Sequence, residues 1–199
     1  MLMADIIFVT TNKGKVEEAA HLLAPLGFEV KPSFLELREI QTQDQNELVT
    51  LKALDARLSI AFALIVEDTG FYLEAYPNFP GVFGKYVIKS LGVEGLLKLV
   101  EGTNRKAFFR SVVAFLPAES DEVKIFDGKV NGTIAKRITQ SREGMPFDQI
   151  FIPNGETRTY GEMSIEEKNK VNHRALSMQK LAHWLASGKM GEKEIESEE

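Results

Sequence analysis

The amino-acid sequence predicts a mixed-sheet protein of the α/β or α+β class, and three observations carry that expectation. Short β-branched apolar runs alternate with segments whose apolar residues recur at helical spacing. Two long β-rich stretches, 106–116 and 123–138, flank a turn-forming segment at 117–121 and read as an antiparallel hairpin. The chain has 199 residues, 44% hydrophobic and 27% charged, a globular profile rather than a disordered or fibrous one. A chain of this length buries roughly 70% of its unfolded surface. One domain, or two lobes sharing a core, is therefore expected over residues 1–187.

Residues 5–10 have the pattern of a buried strand. Residues 11–14 interrupt it, and 15–23 follow as a helix with Ala19, Leu22 and Leu23 on one face. Residues 28–30 read as a second strand and 35–44 as a polar connection. The central helix is expected at 46–62, with Leu48, Leu51, Leu54 and Leu58 forming its apolar stripe. Residues 63–66 form a third buried strand running into Glu67-Asp68-Thr69-Gly70, after which 71–75 alternate like a strand. Two prolines and two glycines within 77–84 mark a loop, and 92–100 reads as a helix. Within the hairpin, Asn131-Gly132-Thr133 reads as a turn. Residues 147–152 are a short strand, and the rest to Ser187 reads as helical. A capping box of Ser164 and Glu167 starts one helix there. Asn172 caps another that buries Ala175, Met178, Leu181 and Leu185. The acidic tail 188–199 is expected to lack structure.

Composition excludes several functions. There is no cysteine, which removes disulfide scaffolds, zinc ribbons, iron–sulfur sites and thiol nucleophiles. Three isolated histidines, His21, His173 and His183, make no His-rich metal site. The formal net charge is −5, of which the tail holds −3 through five glutamates against two lysines, leaving −2 for residues 1–187. A body so close to neutral has no bulk attraction for nucleic acid or an anionic membrane. Asp5 precedes the first apolar run without a basic flank, and the longest apolar stretch, 60–66, is about a third of a membrane span. A cytoplasmic protein is expected.

Four segments can carry chemistry. Thr10-Thr11-Asn12-Lys13-Gly14-Lys15 leaves a strand and enters a helix N-terminus, where backbone N–H groups and two lysines suit a polyphosphate. It is no Walker A loop, which needs glycine in place of Val9 and a hydroxyl in place of Val16. A plain Asn-Gly turn with solvated lysines is the alternative. Glu67-Asp68-Thr69-Gly70 ends a buried strand, where open α/β sheets bind ligands and where carboxylates recruit magnesium with substrate phosphates. A simple turn cap is its alternative. Glu36 or Glu39 can supply a further acid, and spacing does not choose between them. Lys168 and His173, five residues apart, sit roughly 140° apart on a straight helix, so they share a ligand only if the helix breaks between them. His173 and Arg174 in the first turn of a fresh helix oppose its dipole and point to an anionic or strongly accepting partner, a solvated helix with incidental charge being the alternative. Gly144-Met145-Pro146-Phe147-Asp148 offers an apolar wall and one carboxylate to a flat heterocycle, or places Phe147 in the core.

Together these segments resemble the inosine triphosphate pyrophosphatase family, five motifs in the family's order across residues 5–186. The family's Thr-x-Asn-x-x-Lys is similar to Thr10 through Lys15, and its (Glu/Asp)-Asp-(Ser/Thr)-Gly to Glu67 through Gly70. Its Phe-Pro-Gly resembles Phe79-Pro80-Gly81. Its aromatic-Asp-x-Ile-Phe-Ile-Pro and Glu-Met-x-x-Glu-Glu-Lys-Asn…His-Arg resemble 147–153 and 162–174. The resemblance implies an elongated mixed sheet with flanking helices, in two lobes around a central nucleotide-binding cleft. It implies hydrolysis of noncanonical purine triphosphates (ITP, dITP, XTP) to the monophosphate and pyrophosphate, with Mg2+ as cofactor, in a homodimer. By position it implies metal binding by Glu39 and Asp68, with Asp68 as the proton acceptor. It assigns phosphate contacts to Thr10, Asn12, Lys15, Lys52 and Thr69, and base recognition to Met145, Phe147, Asp148, Lys168, His173 and Arg174. The chain departs from the family at Thr11 (glycine), at Val82-Phe83-Gly84-Lys85, at Met145-Pro146 (Phe-Gly) and at Asn172 (serine). A Maf-like pyrophosphatase for other nucleotides and a non-catalytic nucleotide-binding module are the competing readings.

Overall fold

The computed structural model describes residues 4–140 and 145–188. The first half builds parallel strands. β1 (Ala4–Val9) leads into helix α1 (Lys13–Leu23), and β2 (Phe28–Ser33) returns beside β1. Pro32 fits there because β2 is an edge strand. Helix α2 (Gln45–Arg57) then crosses to β3 (Ala63–Leu73), which pairs parallel with β1. The second half is antiparallel. After the two-residue β4 (Pro80–Gly81) and helix α3 (Gly84–Leu99), β5 (Lys106–Leu116) and β6 (Lys124–Ile134) form the expected hairpin against β3. β7 (Phe151–Pro153), α4 (Ile165–Lys170) and α5 (His173–Ala186) complete the chain. The seven-stranded mixed sheet runs β2-β1-β3-β5-β6-β7, with β4 alongside β3.

Three separate cores follow from strand alternation along β3. Ile65 faces α1 and α5 and packs with Phe8, Phe115, Met178 and Leu181. Leu64 and Val66 face α2 and pack with Val49, Ala53 and Ala56. Farther along, Phe71 and Leu73 join Leu96, Phe109, Phe151 and Tyr160 in a third core under α3. The first two cores sandwich one end of the sheet and the third fills the other, which gives the two lobes. The polar stretch of β3 between them, residues 67–69, lies where the lobes meet.

Several elements differ from the sequence reading. The central helix begins at Gln45 and ends at Arg57, and its buried face is Gln45, Leu48, Val49, Lys52, Ala53 and Ala56. Leu51 and Leu58 are 40% and 78% exposed. Leu48 and half-buried Leu54 face the core as expected, while small Ala53 and Ala56, in place of Leu51 and Leu58, complete the stripe and let the helix lie close to the sheet. Arg57 ends the helix by donating to the carbonyls of Ile60 and Phe62 at 2.8 and 2.9 Å and to those of Leu116 and Pro117. Residues 63–73 are one long strand rather than two pieces, residues 74 and 75 of the expected second piece form a turn, and the 77–84 loop contains β4. Helix α3 starts eight residues earlier than expected: Gly92, at φ 66°, divides it, and a first segment precedes the expected one, packing Val87 and Ile88 on the third core.

Asn131-Gly132-Thr133 is not a turn but part of β6, which stops at Ile134. Gly132 is required there because a Cβ would lie 2.2 Å from the carbonyl oxygen of Ile152 on β7. Residues 146–149 form a 3-10 turn, and β7 begins only at Phe151. Between β7 and α4 the chain is irregular apart from a 3-10 turn at Tyr160–Glu162, so the expected helix there does not form. Both predicted caps are present: Ser164 accepts from the Glu167 N–H, and Asn172 accepts from that of Ala175 at 2.7 Å. His173 and Ser177 are buried on α5, whereas Ala175 is only half-buried. Beyond Gly188 the acidic tail lies outside the described residues, as does Gly144 of the expected base loop.

Candidate active site

Because successive residues of a strand point to opposite faces, β3 presents Glu67 and Thr69 on one face and Asp68 on the other. Glu67 is fully enclosed: its side chain has 0% exposure. Its Oε1 accepts from Thr69 Oγ1 at 2.6 Å and from Ser111 Oγ at 2.8 Å. Lys15 Nζ pairs with Oε2, and Arg174 Nε stands 3.6 Å from Oε1. Burial opposes ionisation of Glu67, but Lys15 and then Arg174 outweigh it and hold the carboxyl far below the usual range. Lys15 reaches this point because Asn12 caps α1, accepting from the Lys15 N–H at 3.3 Å. Thr10 closes the turn before it, accepting from the Asn12 N–H at 3.2 Å.

Asp68 faces α2. Gln45 Nε2 donates to its Oδ2 at 3.1 Å and to its carbonyl at 3.0 Å. Burial, and then the neighbouring charge of Glu67, raise the Asp68 carboxyl above the ordinary aspartate range. Glu39 lines the same cavities as Asp68, of about 180 and 280 Å3, and is paired with Lys52 at 2.5 Å. Of the two candidate acids, Glu39 is the one that lies beside Asp68: Glu36 lines neither cavity.

At the other end, Lys168 pairs with Asp148 at 2.5 Å and approaches Met145 Sδ at 3.3 Å. His173 stacks on Phe109 at 4.6 Å, with 6° between the rings, and neither ring nitrogen has a hydrogen-bond partner among the described residues. Burial, reinforced by Arg174, keeps His173 neutral, its pKa well below the usual value. The helix does break at Val171 and Asn172, and Lys168 and His173 then line one cavity of about 420 Å3 together with Asn12, Lys15 and Met145. Phe147 both lines it and lies 4.5 Å from Phe71, so the two expectations for that ring are met together. Thr69, Lys85, Phe109 and Phe147 line this cavity and the acidic one alike, which makes the whole a continuous cleft.

Two expected residues stand outside the cleft lining. Thr10 shapes the turn, and buried Lys52 reaches the cleft only by its pair with Glu39. The accepting partners expected for the first turn of α5 belong to the protein: Arg174 pairs with Glu67 and with Glu18 at 3.1 Å, while His173 is no cation. Three residues carry no site expectation from the sequence, and a fourth, Glu67, is expected at the ligand-binding end of its strand without a role of its own. The part of Glu67 and the presence of Ser111 become legible only once the face of each strand residue is known. Gln45 carried no motif. Lys85, in the first turn of α3, was hidden by the glycine that divides that helix.

Fold and cleft define an α/β protein that gathers lysines and paired acids along one elongated cleft. The model of the Ham1 family matches residues 6–184, and the chain belongs to that family. It is 40% identical over 181 residues to a dITP/XTP pyrophosphatase of Hyperthermus butylicus, covering 90% of this chain and 94% of that one. It is 41% identical to a dITP/XTP pyrophosphatase of Thermococcus kodakarensis, covering 90% and 96%. Among solved structures, a HAM1 protein from Coxiella burnetii shares the fold with a TM-score of 0.83 at 24% identity, over 93% of this chain and 100% of that one. The Staphylococcus aureus Ham1 protein does so with a TM-score of 0.80 at 23% identity, over the same shares.

Proposed function

We propose that the chain hydrolyses noncanonical purine nucleoside triphosphates, ITP, dITP and XTP, to the monophosphate and pyrophosphate. The observation that carries this reading is the continuous cleft that places the Asp148–Lys168 pair at one end and the Glu39 and Asp68 carboxylates at the other. A keto purine presents a 6-oxygen beside N1–H. Lys168 is a donor only and ionised Asp148 an acceptor only, so the pair matches that edge and opposes the reversed pattern of adenine. A buried polar mismatch of this kind discriminates strongly. Phe147, Met145 and the His173–Phe109 stack supply apolar surface for the ring.

Lys15 and Asn12, at the α1 N-terminus, and Thr69 serve the phosphates. Asp68 takes the proton of the attacking water, for which a raised carboxyl pKa is suited. Among the described residues no cluster of three or more His, Cys, Asp or Glu forms a complete metal cage. The two hard donors Glu39 and Asp68 instead suit Mg2+, which takes its remaining ligands from water and phosphates and, when bound, supplies neutralisation of phosphate charge. The same reading includes a cytoplasmic homodimer. Phe34, Leu58, Phe62 and Tyr86, each at least 58% exposed, offer apolar surface for a second copy. No described helix is long and apolar enough to cross a membrane. A Maf-like activity is disfavoured by the Ham1 relatives, and a non-catalytic module by the retention of both acids at the cleft. The test is pyrophosphate release from ITP, dITP, XTP and the four ordinary deoxynucleotides with Mg2+. Release is expected from ITP, dITP and XTP, and its absence from all three sinks the reading.

A further inference from the structure

Gln45 opens α2 and is 1% exposed, yet capping does not require a polar side chain there. Asp44 already caps the turn, accepting from the N–H groups of Asn46 and Glu47 at 2.8 and 3.3 Å. A buried primary amide costs free energy unless its donors and acceptor all find partners. Those of Gln45 do. Nε2 donates to Asp68 Oδ2 at 3.1 Å, to the Asp68 carbonyl at 3.0 Å and to the Arg110 carbonyl at 3.1 Å. Oε1 accepts from the Tyr72 hydroxyl at 3.1 Å. Of these neighbours only Tyr72 offers a hydrogen. Turned over, the amide would set its oxygen against two carbonyls and a carboxylate, so its orientation is decided.

Tyr72 is fixed in turn. Its ring stacks on Phe108 at 4.6 Å with 9° between planes. It also occupies the space left by two glycines: a Cβ at Gly70 or Gly81 would lie 2.6 or 3.2 Å from a ring carbon. A wedged phenol thus orients an amide, and the amide holds one oxygen of Asp68, leaving Oδ1 without a hydrogen-bond partner among the described residues. We propose that Gln45, set by Tyr72, is a positioning residue for Asp68: it decides which carboxylate oxygen is presented to the reacting phosphate and its water. The proposal rests on the pyrophosphatase reading above.

The test uses the full chain with dITP and Mg2+. Gln45→Leu removes the amide at similar volume, Gln45→Glu replaces the donor by an acceptor, and Tyr72→Phe removes only the hydroxyl. Both Gln45 variants should lose about tenfold or more in kcat, because a small misplacement of a reacting group is costly. Tyr72→Phe should lose about threefold, and KM should move by less than about threefold in every case. Mn2+ binding, read by EPR with the α,β-methylene analogue of ITP present, should weaken about threefold or more in Gln45→Leu. An unchanged kcat in folded Gln45→Leu, a kcat loss matched by an equal rise in KM, or unaltered Mn2+ binding overturns the proposal. Should Gln45→Leu not fold, Tyr72→Phe decides alone, and an unchanged kcat rejects it. If the wild-type chain releases no pyrophosphate, the pyrophosphatase reading falls, while the Mn2+ measurement still decides whether Gln45 orders Asp68.

Discussion

Glu67 and Asp68 are adjacent in sequence and opposite in role, because strand alternation sends one into a cage of cations and the other toward α2. The consequences of neutralising each should differ accordingly. Asp68→Asn removes the proposed proton acceptor from a carboxylate site held by hydrogen bonds that asparagine can partly keep. Turnover should fall by about 10²-fold or more while the thermal midpoint stays within a few degrees of wild type. Glu67→Gln keeps hydrogen bonding to Thr69 and Ser111 but leaves Lys15 and Arg174 facing an uncharged group inside the protein. Removing one partner of a buried ion pair costs about 3–5 kcal/mol, or roughly 10 °C in a chain of this size. Thermal melts and steady-state kinetics on the two variants check this, and similar melts for both would show that Glu67 is not the structural acid. The sequence placed both residues at the ligand-binding end of a strand. It could not divide their labour, since the partners come from α1, α2, β5 and α5.

At the scale of elements, most of the site was legible because its pieces sit at helix starts with local signatures. Ser164 and Asn172 each cap the helix they were expected to cap, Asn12 caps α1 in addition, and the break before His173 follows from Asn172. What was not legible depends on close approach between distant elements. Leucines 51 and 58 look like a core stripe until Ala53 and Ala56 are seen against the sheet. Gly128, in the middle of β6, carries no local signature. Yet a Cβ there would lie 2.1 Å from the His173 carbonyl and 2.6 Å from the Ser177 nitrogen. The first turn of α5, which carries His173 and Arg174, can therefore lie against the sheet only over glycine. Gly128→Ala should push that turn outward. The expected result is a loss of about 1–3 kcal/mol from overpacking and a several-fold rise in KM for a keto-purine triphosphate. Unchanged melting and KM would show that the helix accommodates a methyl group without moving.

Across the whole molecule, the net charge of −5 says little about the cleft, whose charges are neutralised internally. Lys15 and Arg174 share Glu67, Arg174 also meets Glu18, Lys168 meets Asp148 and Lys52 meets Glu39. This network ties folding to pH with a definite sign. His173 is buried neutral, with its pKa depressed well below 6.5. As pH falls below 6.5 the unfolded chain takes up a proton that the folded chain refuses, so stability declines. Glu67 is held below its ordinary 4.5, so the stability it contributes is present above that value and is lost in stronger acid. Asp68, raised above 3.8, acts in the opposite sense: protonating it on the way down relieves the folded state, against the combined pull of the other two. The thermal midpoint should therefore be nearly flat above about pH 7, decline below about pH 6.5, and fall further below about pH 4.5. His173→Phe keeps an aromatic ring on Phe109 and removes the titration. In that variant the first decline should vanish while the second remains, measured by melts at intervals between about pH 8 and pH 4. A first decline of the same depth in the variant would mean that His173 is not the group that sets it.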